Sequence, residues 1–153
     1  MKKISLIVFF LFLAFPVLGQ MKMYSFSELE SLNKIEPRPI LVFVHTSWCK
    51  YCKMMENSTF KNQEAIQLLN NDFYFVSLNA EDQSDITFLN HTFKFKPTGK
   101  NTGVHELAVE LATIDNTIAY PTIVGLASDY SILFQKHSYT NAKELITLLQ
   151  KLK

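Results

Sequence analysis

Short apolar runs along the chain predict the strands of a single sheet. They cover residues 40–44, 73–78, 122–126 and 132–135. The first two runs are continuous and rich in β-branched and aromatic residues, which is typical of strands buried on both faces. The last two runs flank the turn residues 128–130, a spacing that predicts an antiparallel hairpin.

The stretches between the strands show the periodicity and the end signals of helices. The predicted helices cover residues 25–33, 49–70 with a break near 58–59, 104–112, and a final segment that begins after Asn141. Asn141 has Glu144 three positions later, which is a helix-capping signature, and Pro37 stops the first helix. The rest of residues 80–118 is irregular. The order β-α-β-(α)-β-β-α predicts an α/β sandwich, a central mixed sheet flanked by helices.

The first 19 residues have the features of a signal peptide. Lys2 and Lys3 precede an apolar stretch at residues 4–15 that only Ser5 interrupts, and residues 16–19 supply a break and a cleavage site before Gln20. An uncleaved anchor is the alternative, but the apolar stretch is shorter than the roughly 20 residues that cross a bilayer. We therefore predict a leader at 1–19 and a mature domain at 20–153 without a membrane span.

Composition and charge narrow the class of protein. The chain has 153 residues, enough for one domain, and its 48% hydrophobic and 19% charged residues argue against disorder. The net charge is +1, and it becomes −1 after maturation because the leader removes two of the 15 basic residues and none of the 14 acidic ones. No nucleic-acid partner is expected, since the strongly basic surface such a partner needs is missing.

The two cysteines, Cys49 and Cys52, lie where the first apolar strand meets a helix. The start of a helix offers unpaired backbone amides and the positive end of the dipole, which favour a thiolate at Cys49. Lys50 and Lys53 add positive charge nearby. Cys52 lies further into the helix and is more shielded. This spacing predicts Cys49 as the attacking sulfur and Cys52 as the resolving sulfur of a redox pair.

Two other interpretations of the cysteines stay open. The pair could form a purely structural disulfide, although so short a loop constrains the unfolded chain little. A zinc site completed by His45 or His91 is less favoured, because no second pair of ligands has metal spacing. The redox interpretation requires neither a metal nor an organic cofactor. The predicted leader places both cysteines in an oxidising compartment, for which we expect the periplasm, with secretion as the alternative.

The Trp48-Cys49-Lys50-Tyr51-Cys52 segment after a buried strand, together with Tyr120-Pro121-Thr122 before a hairpin and a last helix, resembles the thioredoxin fold over residues 22–153. That resemblance implies a cis-proline at Pro121, in a loop beside the cysteines. It also implies that the backbone of Tyr120 pairs with a substrate strand. Trp48 could pack against the strand or shape the surface beside Cys49.

A narrower resemblance lies in Cys52-Lys53-Met54-Met55-Glu56, then Thr59-Phe60, then Leu68-Leu69 before a strand that ends at Asn79. These residues are similar to those of the C-terminal thioredoxin-like domain of the periplasmic thiol:disulfide interchange protein DsbD and of related exported proteins. Those relatives act mostly as reductants or electron relays. The resemblance also shows departures: Phe43 replaces the acidic residue usual in the first core strand, and Ser77 replaces its lysine partner. Glu56, one helical turn after Cys52, is a candidate to assist deprotonation of Cys52; the alternative is a solvated carboxylate. Lys50 and Tyr51 replace the usual Gly-Pro, so the thioredoxin potential does not transfer.

Residues 81–118 form an insertion before the proline of the predicted fold. The insertion is rich in aromatic and basic residues, and we weigh a partner-docking surface equally against a cover for the sheet edge. His105 could reach the cysteines as a proton donor, or it could be structural.

These features predict an exported thiol:disulfide oxidoreductase that reduces protein disulfides and is itself reduced by an upstream thiol donor. An oxidant or isomerase is the alternative within this class. A non-catalytic binding module with a structural disulfide is the alternative outside it. We expect a monomer.

Overall fold

The computed structural model describes residues 19–152. The predicted signal peptide therefore lies outside the described residues except for Gly19. The five helices of the described part are α1 (Phe26–Ile35), α2 (Lys50–Asn57), α3 (Gln63–Asp72), α4 (Glu106–Ala112) and α5 (Ala142–Lys151). Its strands are β1 (Ile40–His45), β2 (Tyr74–Asn79), β3 (Ile86–Phe88), β4 (His91–Phe93), β5 (Phe95–Pro97), β6 (Gly103–His105), β7 (Thr113–Ile114), β8 (Thr117–Ile118), β9 (Thr122–Leu126) and β10 (Ile132–His137). Among residues 19–152, none of the helices is both long enough and apolar enough to cross a membrane.

The four strands predicted from the apolar runs form one mixed sheet in the order β10-β9-β1-β2. β1 pairs with β2 in parallel and with β9 in the antiparallel sense, and β9 and β10 form the predicted hairpin. The parallel pairing places the carboxyl ends of β1 and β2 at the same edge of the sheet, next to the start of α2. That edge is where the candidate chemistry lies.

The central strand β1 is buried on both faces, as its continuous apolar run predicts. Val42 and Val44 point into a core that α1 and α4 cover, while Leu41 and Phe43 point into a second core that α2, α3 and α5 cover. Alternate side chains of a strand point to opposite faces, so a strand in the middle layer needs apolar residues at every position. The mixed sheet flanked by helices is therefore confirmed.

Helix ends follow the predicted signals. The side chain of Asn141 accepts a hydrogen bond from the backbone N–H of Glu144 and caps α5. The predicted break near 58–59 is also present, because α2 ends at Asn57 and a 3₁₀ turn over Thr59–Lys61 leads into α3. The break bends the chain, so that α2 and α3 pack on one face of the sheet as two short helices.

Residues 81–118 are more regular than the sequence suggests. They contain three two-stranded ribbons, β3–β4, β5–β6 and β7–β8. The predicted helix over 104–112 was wrong at its start: Val104 and His105 end β6, where Val104 pairs with Lys96, and α4 begins at Glu106. Strand pairing with β5 therefore prevailed over helical periodicity at these two residues. The buried residues of α4 then pack on the sheet face shared with α1.

Candidate active site

Cys49 and Cys52 form a disulfide at the junction of β1 and α2. Cys49 is the N-cap of α2, and its Sγ accepts a hydrogen bond from the backbone N–H of Cys52 at 3.1 Å. The side chain of Cys49 is 4% exposed, whereas that of Cys52 is fully buried. The sulfur at the helix start is thus the more accessible of the two, and it lies where a helix amide and the dipole favour negative charge.

Backbone hydrogen bonds fix this junction to the sheet. The N–H of Cys49 donates to the carbonyl of Thr46 at 3.4 Å and closes a turn just after β1. The N–H of Lys53 donates to the carbonyl of Cys49 at 3.1 Å and begins the helical ladder. Both bonds lie within eight residues of the end of β1, so they fix the position of the disulfide relative to the central strand.

Three large side chains around the disulfide are exposed and form what we call the apolar rim: Trp48 at 70%, Tyr51 at 58% and Met54 at 43%. They are spaced three positions apart, which brings their side chains to one side of the helix start. The ring of Tyr51 lies 6.5 Å from that of Tyr139 in the loop before α5. The apolar rim is therefore an exposed apolar surface directly beside the disulfide.

Tyr120 and Pro121 precede β9, and the peptide bond between them is cis. The ring of Tyr120 packs edge-on against the indole of Trp48, with centroids 6.1 Å apart, and contacts the core that contains both cysteines. Burial, with a smaller contribution from the charge of Glu81, raises the pKa of Tyr120 to about 12, so its hydroxyl stays protonated at neutral pH. The structure therefore brings Trp48, Tyr120 and the disulfide together.

Glu81 is a site residue that the sequence analysis missed. Its carboxylate accepts hydrogen bonds from the backbone N–H and the hydroxyl of Ser47, at 3.0 and 2.8 Å, and from the indole Nε1 of Trp48 at 3.0 Å. The bonds from Ser47, and to a lesser extent that from Trp48, lower the pKa of Glu81 below its ordinary value. A usable signal was present: Glu81 follows β2, and the carboxyl ends of parallel strands share one edge.

The sequence matches the thioredoxin-like domain family over residues 27–153. The chain belongs to this family. The geometry agrees with that membership, because a Cys-X-X-Cys disulfide at a helix start can undergo thiol–disulfide exchange when a thiolate attacks it.

Solved structures show how widely this thioredoxin-like fold is shared. A structure of DsbH oxidoreductase superposes with a TM-score of 0.62 at 16% identity and covers 91% of this chain and 89% of that one. The reduced C-terminal domain of DsbD from Neisseria meningitidis superposes with a TM-score of 0.55 at 16% identity, covering 83% and 92%. The predicted similarity to the DsbD domain is thus confirmed for the fold.

Among curated proteins, spermatogenesis-associated protein 20 of Mus musculus is 38% identical over 60 residues. The match covers 39% of this chain and 8% of the mouse protein, so the chain spans only a small part of the curated relatives that it matches.

The thioredoxin-like domain differs from the usual pattern beneath α2. Phe43 is fully packed in the core and pairs with Ser77 across the parallel strands. The carboxylate of Glu56 lies at the edge of this region, where Oε2 accepts a hydrogen bond from Nζ of Lys53 at 2.9 Å and Oε1 lies 3.8 Å from Nδ1 of His45. Lys53 is therefore paired with Glu56, while Lys50 is exposed beside Cys49. From the sequence, His45 was predicted only as a candidate metal ligand.

His105 has a different environment from the one predicted for a proton donor. It is fully buried as the N-cap of α4. Its Nδ1 accepts a hydrogen bond from the N–H of Leu107 at 3.2 Å, and its Nε2 contacts the carbonyl of Ser84 at 3.1 Å. Both ring nitrogens contact backbone groups, so neither remains for the cysteines. The proton-donor alternative for His105 is therefore wrong and the structural alternative is confirmed, since the residue caps α4.

A metal at the cysteines would need both sulfurs as thiolates, and in this structure they are bonded to each other. Residues 19–152 contain no group of three or more His, Cys, Asp or Glu side chains placed to hold a metal ion.

Proposed function

We propose that this thioredoxin-like protein is an exported thiol:disulfide oxidoreductase that reduces disulfides of extracytoplasmic proteins. The observation that carries the proposal is the asymmetry of the two sulfurs. Cys49 caps the helix and is the more exposed, and Cys52 is buried behind it. In thiol–disulfide exchange, the more exposed sulfur of such a pair can attack the substrate disulfide, and the buried sulfur can then resolve the mixed disulfide.

In the reduced protein the thiolate of Cys49 attacks one sulfur of a substrate disulfide. A mixed disulfide forms, and the other substrate sulfur leaves as a thiolate and takes up a proton. The thiolate of Cys52 then attacks Sγ of Cys49, which releases the second substrate thiol and forms the Cys49–Cys52 disulfide. Two electrons have passed to the substrate, and an upstream dithiol donor must return them.

The surface around the disulfide supports a protein substrate. The apolar rim can cover the apolar residues next to a substrate cystine, and the backbone of Tyr120 is proposed to pair with the extended substrate chain. Pro121 holds that backbone segment beside Trp48. Lys50 is an exposed cation next to the attacking sulfur. The predicted leader at 1–19 supports export, with the periplasm as the expected compartment.

Insulin reduction tests this function with three proteins: wild type, Cys49→Ser and Cys52→Ser. We expect turnover in wild type and none in either variant, and we expect Cys52→Ser to accumulate a mixed disulfide with insulin. The control variant Ser31→Ala, which removes an exposed hydroxyl on α1 and leaves both sulfurs, should keep turnover. Negligible turnover in wild type that equals that of Cys49→Ser would refute the enzyme and support the alternative of a binding module.

The direction of electron flow needs a separate measurement. Trp48 is the single tryptophan of the chain and lies next to Cys49, so its fluorescence can follow the disulfide through an equilibrium titration with glutathione. We expect a potential near the roughly −270 mV of thioredoxin. A potential near roughly −120 mV, typical of a strong oxidant, would contradict the reductase and favour the oxidant or isomerase.

A further inference from the structure

His45 is a partly buried titratable residue near the redox pair, and the proposed exchange assigns it no role. It is the last residue of β1, and alternation along the strand places it on the same face as Phe43, beneath α2. Its ring stacks on that of Phe43, with centroids 5.0 Å apart and planes inclined by 18°. The orientation of the His45 ring is therefore fixed by its contact with Phe43 in the core.

The two ring nitrogens of His45 have different partners. Nε2 lies 2.9 Å from the hydroxyl of Ser77 on β2. Nδ1 is buried and has no hydrogen-bond partner within residues 19–152, and it faces Oε1 of Glu56 at 3.8 Å. We assign the Ser77 hydroxyl as the donor to Nε2, which puts the proton of the neutral ring on Nδ1. In this tautomer the Nδ1–H group of His45 has a carboxylate oxygen 3.8 Å away, slightly too far for a hydrogen bond.

The surroundings of His45 include groups that lower its pKa and groups that raise it. Burial is the largest influence and lowers its pKa, as does Lys53 on α2, whereas Glu56 on α2 and Glu81 after β2 oppose this. The ring is therefore neutral at neutral pH and carries one N–H donor rather than two. It can direct the carboxylate of Glu56 without forming a permanent ion pair with it.

Glu56 connects this ring to the redox pair. It follows Cys52 by four positions on α2, so the two side chains lie on one face of the helix, one turn apart. Lys53 holds its Oε2 from the solvent side, and Oε1 is left toward His45. A groove of about 820 Å³, lined in part by Glu56, Phe43 and Ser77, opens this region to solvent and provides a route for a proton.

We propose that His45 is a positioning residue that, with its ring fixed by Ser77, orients Glu56 to accept the proton of the Cys52 thiol in the resolving step. The proton moves from Sγ of Cys52 to the Glu56 carboxylate, and the resulting thiolate attacks Sγ of Cys49 in the mixed disulfide. The substrate sulfur leaves as a thiolate, and the proton of Glu56 then passes to solvent. This inference rests on the proposed roles of the two cysteines and adds the residues that serve the second of them.

The experiment uses a small chromogenic disulfide, 5,5′-dithiobis(2-nitrobenzoate), added to the reduced protein in stopped flow. Attack by Cys49 releases the first coloured thiolate, and attack by Cys52 releases the second, so the second phase reports the resolving step alone. We expect Glu56→Gln to slow the second phase by about 100-fold, the lower part of the range for general-base catalysis. His45→Phe, which retains a ring against Phe43, should slow the same phase by about tenfold and leave the first phase unchanged.

Coupling and rescue separate a positioning role from a structural one. In the Glu56→Gln background, His45→Phe should have no further effect, because the group it positions is absent. His45→Gln, whose amide can donate to Glu56, should recover most of the wild-type rate. The same substitution at an exposed histidine, His91→Phe, is the control and should change neither phase.

Three results would overturn the inference. They are an equal slowing of both phases by His45→Phe, additive effects of His45→Phe and Glu56→Gln, and a second phase in His45→Gln as slow as in His45→Phe. If His45→Phe fails to fold, Ser77→Ala removes the partner of Nε2 in its place, and an unchanged second phase there would overturn the inference equally. The reagent needs no natural substrate, so a failure to reduce insulin would refute the proposed function without affecting this measurement.

Discussion

The three hydrogen bonds accepted by Glu81 give a sharp test of how the apolar rim is held. Glu81→Ala removes the acceptor for the N–H and hydroxyl of Ser47 and for the indole of Trp48. Both residues are exposed, so their donors can bind water in the variant, and each bond contributes only about 0.5–1 kcal/mol. The free energy of unfolding should therefore fall by about 2 kcal/mol, and the melting temperature by roughly 5–10 °C.

The same substitution should release the indole of Trp48. Because Trp48 is the single tryptophan, its fluorescence anisotropy reports that release directly. Ordering one large side chain on binding costs about 0.5–1.5 kcal/mol, so we expect KM for a protein disulfide to rise about two- to tenfold, with little change in kcat. Glu110→Ala, at an exposed carboxylate of α4, is the control and should change neither quantity. Unchanged anisotropy and KM in Glu81→Ala would refute the reasoning.

The stability that wild type has over Glu81→Ala should depend on pH in acid. The hydrogen bonds from Ser47 lower the pKa of Glu81 below the ordinary value of 4.5. A lowered carboxylate pKa stabilises the fold fully above the unfolded-state pKa, and the contribution is lost as the pH falls through the folded-state pKa. The difference in stability between wild type and Glu81→Ala should thus be constant near neutrality and narrow below about pH 4.5. A difference that widened in acid would contradict the assignment.

Three further measurements test other parts of the structure. The pKa of Tyr120, raised to about 12, predicts one tyrosine that ionises near pH 12 in an absorbance titration, and Tyr120→Phe should remove that tyrosine's signal. The contribution of Tyr120 to stability is present below pH 10 and is lost as the pH rises through 12. Gly125→Ala should destabilise by about 1–3 kcal/mol in denaturant unfolding, because its Cβ would overlap the ring of Phe134, and Phe134→Leu should relieve the effect. Asn141→Ala should cost about 1 kcal/mol through loss of the α5 cap, and Asn141→Ser should restore it.

Much of the fold could be predicted from local patterns. The run around Val42 is apolar at every position because a central strand is buried on both faces, and Asn141 caps a helix by a contact that spans three residues. Such features depend on neighbouring residues only. The helix of residues 104–112 was misjudged because His105 belongs to a ribbon with β5, and pairing with another segment is not visible in helical periodicity.

The candidate site also contains some features that local sequence predicts and others that depend on distant residues. The redox pair could be predicted from local sequence, since two cysteines three positions apart at a helix start are adjacent whatever the rest of the chain does. The sequence also determined Glu56 as a neighbour of Cys52, because a helix repeats every 3.6 residues. The hydrogen bond from Trp48 to Glu81 and the approach of His45 to Glu56 could not be predicted in this way. Those contacts depend on the parallel register of β1 and β2, which brings together residues more than 30 positions apart, and on the packing of α2 over the sheet.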